Sequence, residues 1–449
     1  MNKLFLSALL ISGLISCNEK KAADETPKPD TQMTIMSLDP GHFHAGLIHK
    51  SMYPDVDSTV YVFAPEGEEL KEYMARIAAY NNREEAPTAW NLQVVTGDDY
   101  LQKMIDTKPG EVMVVAGKND RKIDYISAAI NNDIHVYADK PLVINTAGFQ
   151  KLKQAFAAAE EKDLLLYDIM TERFEISTIL QRELSMIPAV FGELEKGTKD
   201  NPAITKVSVH HFFKYVSGQP LIRPEWFFDT KIEGTGLVDV TTHLVDLVQW
   251  EAFPEVILDT ADVEMLDAKL EATALTADQY KLVTGKDAPF GEKETLDVFA
   301  NGEMDYTLKG VHAKVSVKWA FQAPEGTADT HYSIMRGTKA NLIIRQGEAE
   351  NYKTVLYVKL LADQSAELEK AVKETLQSNY PGIGLEKLSS GEYKIIVPEA
   401  YAVGHEAHFA QVTENFLKFY KEKGMPAWEV PNMIVKYYTT TLADSKASK

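Results

Sequence analysis

The sequence predicts an α/β protein with an N-terminal Rossmann-type, doubly wound parallel sheet, followed by an α+β domain with a large, mostly antiparallel open sheet. Two observations predict this. Between residues 33 and 170, short apolar runs alternate with segments of helical spacing, which is typical of parallel strands joined by crossover helices. Beyond residue 170 the predicted strands are longer, apolar and polar residues partly alternate along them, and turns rather than helices link them, as in antiparallel sheets.

The first 32 residues predict export. Lys3 and the apolar run 4–15 are typical of a signal peptide, and the run is too short for a comfortable membrane span. Residues 14–17, Leu-Ile-Ser-Cys, resemble a bacterial lipobox, so we expect residues 1–17 to be a lipoprotein signal with Cys17 lipidated. A cleaved signal with an incidental cysteine is the alternative. Residues 18–32 are polar and predict a flexible tether, which makes the protein an exported lipoprotein on the periplasmic or cell-surface face.

The expected dinucleotide-binding domain covers residues 33–170. Its predicted strands are 34–38, 59–63, 92–95, 111–115, 135–137 and 164–167, and its predicted helices are 42–52, 66–80, 123–131 and 146–161. The expected substrate-binding domain, 171–431, has predicted strands at 207–213, 306–321, 331–335, 341–345 and 354–360. Segments 259–294 and 363–391 look like insertions or surface helices, and 432–449 forms a C-terminal helix.

Composition excludes several classes of protein. The formal net charge of −19 repels nucleic acid and anionic lipid headgroups, so we expect no nucleic-acid partner and membrane contact only through the lipid anchor. Cys17 is the only cysteine, so the mature chain has no disulfide.

The turn after the first strand occupies the place of a dinucleotide fingerprint. Glycines in such a turn let backbone N–H groups approach a pyrophosphate. The fingerprint can start at Asp39 or at Gly41, and Gly41 occupies a glycine position in both alignments. In the alignment that starts at Gly41, Phe43 stands where the second glycine is needed. A plain strand-to-helix turn is the alternative. The small residues Ala116 and Gly117, which follow the fourth strand, leave room for a ligand. Glu66 follows the second strand and either accepts a hydrogen bond from the ribose of the nucleotide or is an ordinary carboxylate at the start of a helix.

Two later motifs carry a family resemblance. Segment 135–142, which contains Asp139-Lys140-Pro141, resembles the hVxxEKP segment of the Gfo/Idh/MocA oxidoreductases, with Asp139 in place of Glu. Segment 234–250, with Asp239, His243, Asp246 and Trp250, resembles their glycine-rich DxxxHxxDxxxW segment. Segments 171–174, 223–227 and 336–340 follow the family order, and the resemblance spans roughly residues 33–448 apart from the two insertions.

The resemblance implies an NAD- or NADP-dependent oxidoreductase acting on a sugar or sugar-like polyol. Lys140, His243 and Asp239 would be catalytic, and Arg173, Arg223 and Trp226 would line the substrate cleft. The nucleotide would lie against the turns that follow the first, fourth and fifth strands: Gly41, His42, Phe43, Ala116, Gly117, Asn119, Asp139, Lys140 and Pro141.

The residues themselves support part of this interpretation. Asp239 and His243 are four apart, so on a helix they would share a face, and the carboxylate would raise the pKa of the imidazole. An ordinary helical ion pair is the alternative. Lys140 precedes a proline, so its backbone is extended, and a desolvated lysine can act as an acid or base.

The sequence predicts no metal site. His42 and His44 are two residues apart and share no helical face, and segment 405–408, His-Glu-Ala-His, lacks the i,i+4 histidine pair of zincins. A facial set of Asp239, His243 and Asp246 is the alternative.

Three functions remain open at this stage. The first is hydride transfer between a sugar and a nicotinamide cofactor. The second is glycoside cleavage by oxidation and elimination with a tightly bound NAD. The third is a sugar-binding lipoprotein without a cofactor, which the altered glycine turn favours. The open sheet also offers a surface for homo-oligomer formation.

Overall fold

The protein is described from a computed structural model that covers residues 32–216, 219–291, 293–325, 327 and 329–448. The predicted signal peptide, Cys17 and all of the predicted tether except its last residue lie outside the described residues. Within those ranges, no helix combines the length and the apolar character needed to cross a bilayer.

Six parallel strands form the first sheet, in the order β3-β2-β1-β4-β5-β6. The strands are β1 (Met33–Leu38), β2 (Val56–Ala64), β3 (Asn91–Thr96), β4 (Val112–Val115), β5 (His135–Asp139) and β6 (Leu166–Ile169). The helices are α1 (His44–Ile48), α2 (Glu68–Asn82), α3 (Tyr100–Thr107), α4 (Lys122–Asn131) and α5 (Thr146–Glu161). The strand order reverses between β1 and β4, where doubly wound sheets bind ligands at their carboxyl edge.

Nine strands form the second sheet, in the order β10-β11-β12-β7-β13-β14-β15-β17-β16, and β8 pairs with β9 in a separate ribbon. Only the β12–β7 pair of this sheet is parallel. The strands are β7 (Ile204–Phe213), β8 (Tyr215–Val216), β9 (Gln219–Pro220), β10 (Val263–Thr276), β11 (Thr295–Leu308), β12 (Val311–Gln322), β13 (Thr330–Arg336), β14 (Ala340–Arg345), β15 (Val355–Leu360), β16 (Gly384–Ser389) and β17 (Glu392–Ile396). The predicted fold class is confirmed.

Helices beyond residue 170 pack on both sheets, and one of them joins the two domains. They are α6 (Ile176–Ser185), α7 (Thr241–Ala252), α8 (Ala277–Thr284), α9 (Ser365–Ala371), α10 (Gln377–Asn379), α11 (His405–Glu422) and α12 (Glu429–Ala447). Helix α11 contacts α1 and β6, whereas α12 contacts α5 on one side and α7 and β10 on the other. The carboxyl edge of the first sheet therefore faces the second sheet across a fixed interface.

Three sequence predictions of elements were wrong. The helix expected over 42–52 is the five-residue α1, because the turn after β1 extends to Phe43. The strand expected over 306–321 is two strands, β11 and β12, which reverse at Lys309 and Gly310, both with positive φ. Segments 259–294 and 363–391 are not only insertions or surface helices, since their strands β10 and β16 form the two edges of the second sheet.

Candidate functional site

The three predicted catalytic residues come together at the interface of the two sheets. Lys140 follows β5, Asp239 precedes α7, and His243 lies in the first turn of α7. The ammonium of Lys140 donates to Asp239 Oδ1 at 2.5 Å, across 99 residues of sequence. All three side chains line a cleft of about 1680 Å³ between the carboxyl edge of the first sheet and the open face of the second.

The electrostatics of this group differ from the sequence expectation. Asp239 lies outside α7 and pairs with Lys140 rather than with His243. Burial, with a further contribution from the charge of Lys140, lowers the pKa of His243 well below its usual value, so the expected rise was wrong. Burial also lowers the pKa of Lys140, but the carboxylates of Asp239 and Asp139 outweigh it and the net shift is upward. The site thus holds a cationic lysine beside a neutral histidine.

The turn after β1 is closed by its own hydrogen bonds. The N–H of Gly41 donates to Asp39 O at 2.8 Å, and the N–H of His42 donates to Ala116 O at 3.0 Å. Gly117 lies so close that an added Cβ would be 2.3 Å from Asp39 O. These amides are therefore not free to cradle a pyrophosphate as a glycine fingerprint does.

The predicted nucleotide contacts separate into two groups. Gly41, His42, Phe43 and Lys140 line clefts, as expected for ligand contacts. The remaining five, Ala116, Gly117, Asn119, Asp139 and Pro141, bond or pack within the protein. The Asn119 amide donates to both the backbone and the carboxylate of Glu233 and accepts from Lys122 Nζ at 2.6 Å, and Pro141 O also accepts from Lys122.

Cations nevertheless surround this turn. Arg223 borders the large cleft and two smaller ones beside Gly41. Arg76 lies against Gly46, and Lys118 borders the cavity at the end of β2, paired with Glu69 at 3.0 Å. Carboxylates line the same cavities, among them Glu66, Glu68, Glu69 and Glu72, so the position at the switch point, rather than the net charge, is what fits a nucleotide. Sequence reasoning missed Arg76 and Lys118, because only a fingerprint was sought.

The predicted substrate residues are placed differently from one another. Arg173 is not a cleft residue: its guanidinium bonds Asp246 at 2.6 and 2.7 Å and Glu429 at 3.0 and 3.1 Å in a buried network. Arg223 lines the cleft but donates to two backbone carbonyls of β7. Trp226 packs near Gly41 and donates to Glu69 at 2.7 Å, so it borders the nucleotide side.

Polar residues of the second sheet form the opposite wall of the cleft. Asp329 pairs with Lys214 Nζ at 2.8 Å, with His211 Nδ1 at 3.0 Å and with His210 Nδ1 at 3.2 Å. His210 Nε2 lies 2.7 Å from Ser208 Oγ. Sequence reasoning missed this cluster, although the alternating positions of Ser208 and His210 on a predicted strand place them on one face.

Comparison with known proteins agrees with this architecture. Residues 180–448 match a family model described as "Putative oxidoreductase C terminal domain". A crystal structure of a protein from Parabacteroides merdae, also described as an oxidoreductase, is 50% identical over 93% of this chain and 98% of that chain, with a TM-score of 0.90. No curated protein matches the sequence.

More distant structures share the fold. Levoglucosan dehydrogenase in complex with NADH is 14% identical, covering 93% of this chain and 97% of that chain, with a TM-score of 0.61. A 3-ketoreductase from Actinomadura kijaniata in complex with NADP is 13% identical over the same shares, with a TM-score of 0.57.

Fold and site together define a two-domain oxidoreductase, with a parallel α/β sheet whose carboxyl edge faces an open second sheet. The chain belongs to the Gfo/Idh/MocA family of oxidoreductases.

Proposed function

We propose that the protein is an NAD- or NADP-dependent oxidoreductase that acts on a sugar or sugar-like polyol. The observation that carries the proposal is the meeting of Lys140, Asp239 and His243 in the wall of one cleft, although they come from two domains. Family membership supports the oxidoreductase class, and the NADH and NADP complexes of structural neighbours support the cofactor.

The nucleotide would lie along the carboxyl edge of the first sheet. Gly41, His42 and Phe43 would contact it from the turn after β1, and Arg76, Lys118 and Arg223 would neutralise its phosphates. When bound, its nicotinamide ring supplies the hydride acceptor or donor.

The protein residues then handle the proton and the substrate oxygen. The ion pair with Asp239 keeps Lys140 charged and fixes its ammonium, which can donate a hydrogen bond to the reacting oxygen. Burial holds the pKa of His243 well below its usual value, so the imidazole is neutral, and the side chain lines the cleft. A neutral imidazole in the cleft can take the hydroxyl proton as a general base.

The cleft walls support a sugar as substrate. Ser208, His210, Lys214 and Asp329 present hydrogen-bonding groups on one side. Trp319 and Phe227 also line the cleft and add a small apolar surface, since each is 7% exposed and the Arg223 guanidinium lies over both rings. Levoglucosan and L-sorbose in the neighbouring dehydrogenase complexes are carbohydrates of this kind.

One observation favours glycoside cleavage as a second candidate. Two contacts from the second domain border the cavity at the end of β2: Trp226 donates to Glu69, and the exposed pair of Lys286 and Glu68 has a separation of 2.9 Å. A nucleotide retained by such contacts would suit a cycle in which oxidation, elimination and return of the hydride regenerate it. Release of p-nitrophenol from p-nitrophenyl glycosides without net nucleotide reduction would identify this reaction.

We also propose that the protein is exported and anchored through Cys17, on the basis of the lipobox resemblance. Cys17→Ala should move the protein from the membrane fraction to a soluble or unprocessed form; unchanged fractionation would exclude the anchor. Self-association through the open sheet is a further proposal, which light scattering after gel filtration tests.

The test of the main proposal is the mass and absorbance spectrum of any nucleotide that co-purifies with the protein, together with calorimetric titration of NAD⁺ and NADP⁺. We expect one of them to bind. Nucleotide-free protein without measurable affinity for either would favour the sugar-binding protein without a cofactor.

A further inference from the structure

We propose that His42, His44 and Asp139 bind a divalent transition-metal ion, with an open coordination position toward the large cleft. One donor atom from each residue lies within 4.8 Å of the other two. The cluster joins the turn after β1 to the end of β5, and the structure places it beside Lys140. This site is independent of the proposed sugar oxidation, since it rests only on the geometry of these three side chains.

The donor spacing matches a first coordination sphere. Asp139 Oδ2 lies 2.9 Å from His44 Nδ1 and 3.4 Å from His42 Nδ1. Ligand atoms bound at about 2.0–2.2 Å in octahedral or tetrahedral geometry lie roughly 2.9–3.5 Å apart. Both histidine nitrogens therefore already lie at ligand spacing from the carboxylate oxygen, and all three donor atoms lie within 4.8 Å of one another.

One carboxylate oxygen has both imidazole nitrogens beside it. Asp139 Oδ2 faces the Nδ1 atoms of His44 and of His42. A proton on either nitrogen can bond this oxygen, and a metal ion at the same place would be bound by all three donor atoms.

A buried lysine fixes the position of Asp139. Lys122, with no exposed surface, donates from Nζ to the backbone oxygen of Asp139 at 2.8 Å and to Pro141 O at 3.0 Å. These bonds hold the end of β5 in place without using the Asp139 carboxylate. Such outer interactions orient metal ligands and raise affinity.

The open position points into the cleft. His42 and His44 line it together with Lys140, whereas Asp139 is only 3% exposed behind them. Two histidines and one carboxylate with a free position are typical of zinc sites that bind water or substrate and of non-haem iron sites. The free position would take water or an oxygen of the ligand in the cleft.

The test is metal binding by tag-free full-length protein stripped with EDTA. Zinc is titrated by calorimetry, and bound metal is counted by mass spectrometry after gel filtration. Cobalt(II) replaces zinc in a second sample, because its visible spectrum reports the coordination. We expect about one ion per chain in the wild type and a loss of affinity of at least about tenfold in His44→Ala and Asp139→Asn.

Controls separate this site from its surroundings. His312→Ala, on β12 and outside the cleft, should bind as the wild type does. If His44→Ala fails to fold by circular dichroism, His42→Gln replaces it, since His42 is the more exposed histidine at 14%. Wild type without bound metal, or binding unchanged in folded His44→Ala, Asp139→Asn or His42→Gln variants, overturns the proposal. NAD⁺ titration of the metal-free wild type shows separately whether the nucleotide proposal stands, because His42 is itself a proposed nucleotide contact.

Discussion

Arg173 offers a direct contrast between the sequence interpretation and the structure. The sequence predicts a substrate contact, whereas the structure places its guanidinium between Asp246 and Glu429, where α7 and α12 meet the end of the first sheet. Arg173→Gln removes the charge and leaves both carboxylates buried. Asp246 keeps Lys436 at 2.8 Å, but the only ion pair of Glu429 within the described residues is with Arg173.

The expected loss of stability in Arg173→Gln follows from the carboxylate of Glu429, which is left without its cation. Removing one partner of a buried ion pair leaves an uncompensated charge and costs about 3–5 kcal/mol, so Arg173→Gln should lose roughly that much unfolding free energy. Arg345→Gln is the control, because Arg345 and Glu392 are 4.0 Å apart and partly exposed, and such pairs contribute about 0–1 kcal/mol.

Urea unfolding followed by circular dichroism and fluorescence measures both variants. Trp428 lies 5.5 Å from the Arg173 guanidinium and provides a local signal. A loss below about 1 kcal/mol in Arg173→Gln, together with a selective rise in the substrate KM, would refute this reasoning and restore Arg173 to the cleft.

Three further predictions concern charge in the interior and in the cleft. Burial would raise the pKa of Asp246, but Arg173 and Lys436 outweigh it and hold that pKa well below its usual value. The stability that this carboxylate contributes is therefore complete above the unfolded pKa of about 3.9 and falls as the pH drops below it. The free energy of unfolding of Asp246→Asn should consequently depend less on pH in the acid range than that of the wild type. Asp239→Asn frees the Lys140 ammonium, so kcat should fall by about 10²-fold or more while the Kd for nucleotide stays unchanged; a raised Kd with unchanged kcat contradicts the assigned role. Asp329→Asn removes the carboxylate partner of Lys214 on the proposed sugar-facing wall, so KM should rise about tenfold, or about 1.4 kcal/mol, with little change in kcat; an unchanged KM would remove this wall from the substrate site.

The sequence predicted a parallel sheet followed by a mostly antiparallel one because both depend on local patterns. Parallel strands follow from alternating apolar runs and helices, and the carboxyl ends of such strands share one edge. The grouping of Lys140 with Asp239 came from the family resemblance, since no local pattern joins residues 99 positions apart.

Other parts of the site depend on contacts that no local spacing shows. His42 and His44 were rejected as metal ligands because they share no helical face, yet a turn brings both to Asp139, about a hundred residues later. Trp226 and Trp319 are equally aromatic in sequence, and only the packing of the 221–228 segment decides which of them faces the cleft. Arg173 could not be separated from a ligand contact without knowing that Asp246 and Glu429 lie beside it.

The most direct test of the central claim is the near-ultraviolet absorbance of reduced nicotinamide during incubation with a panel of monosaccharides and anhydrosugars. It is measured with NAD⁺ and NADP⁺ for the wild type and for His243→Ala. The structure predicts that the wild type reduces one nucleotide with at least one sugar, and that His243→Ala is slower by about 10² to 10⁴-fold while still binding nucleotide. Equal rates in the two proteins on the same sugar would contradict the assignment of His243 and of this cleft as the site of oxidation.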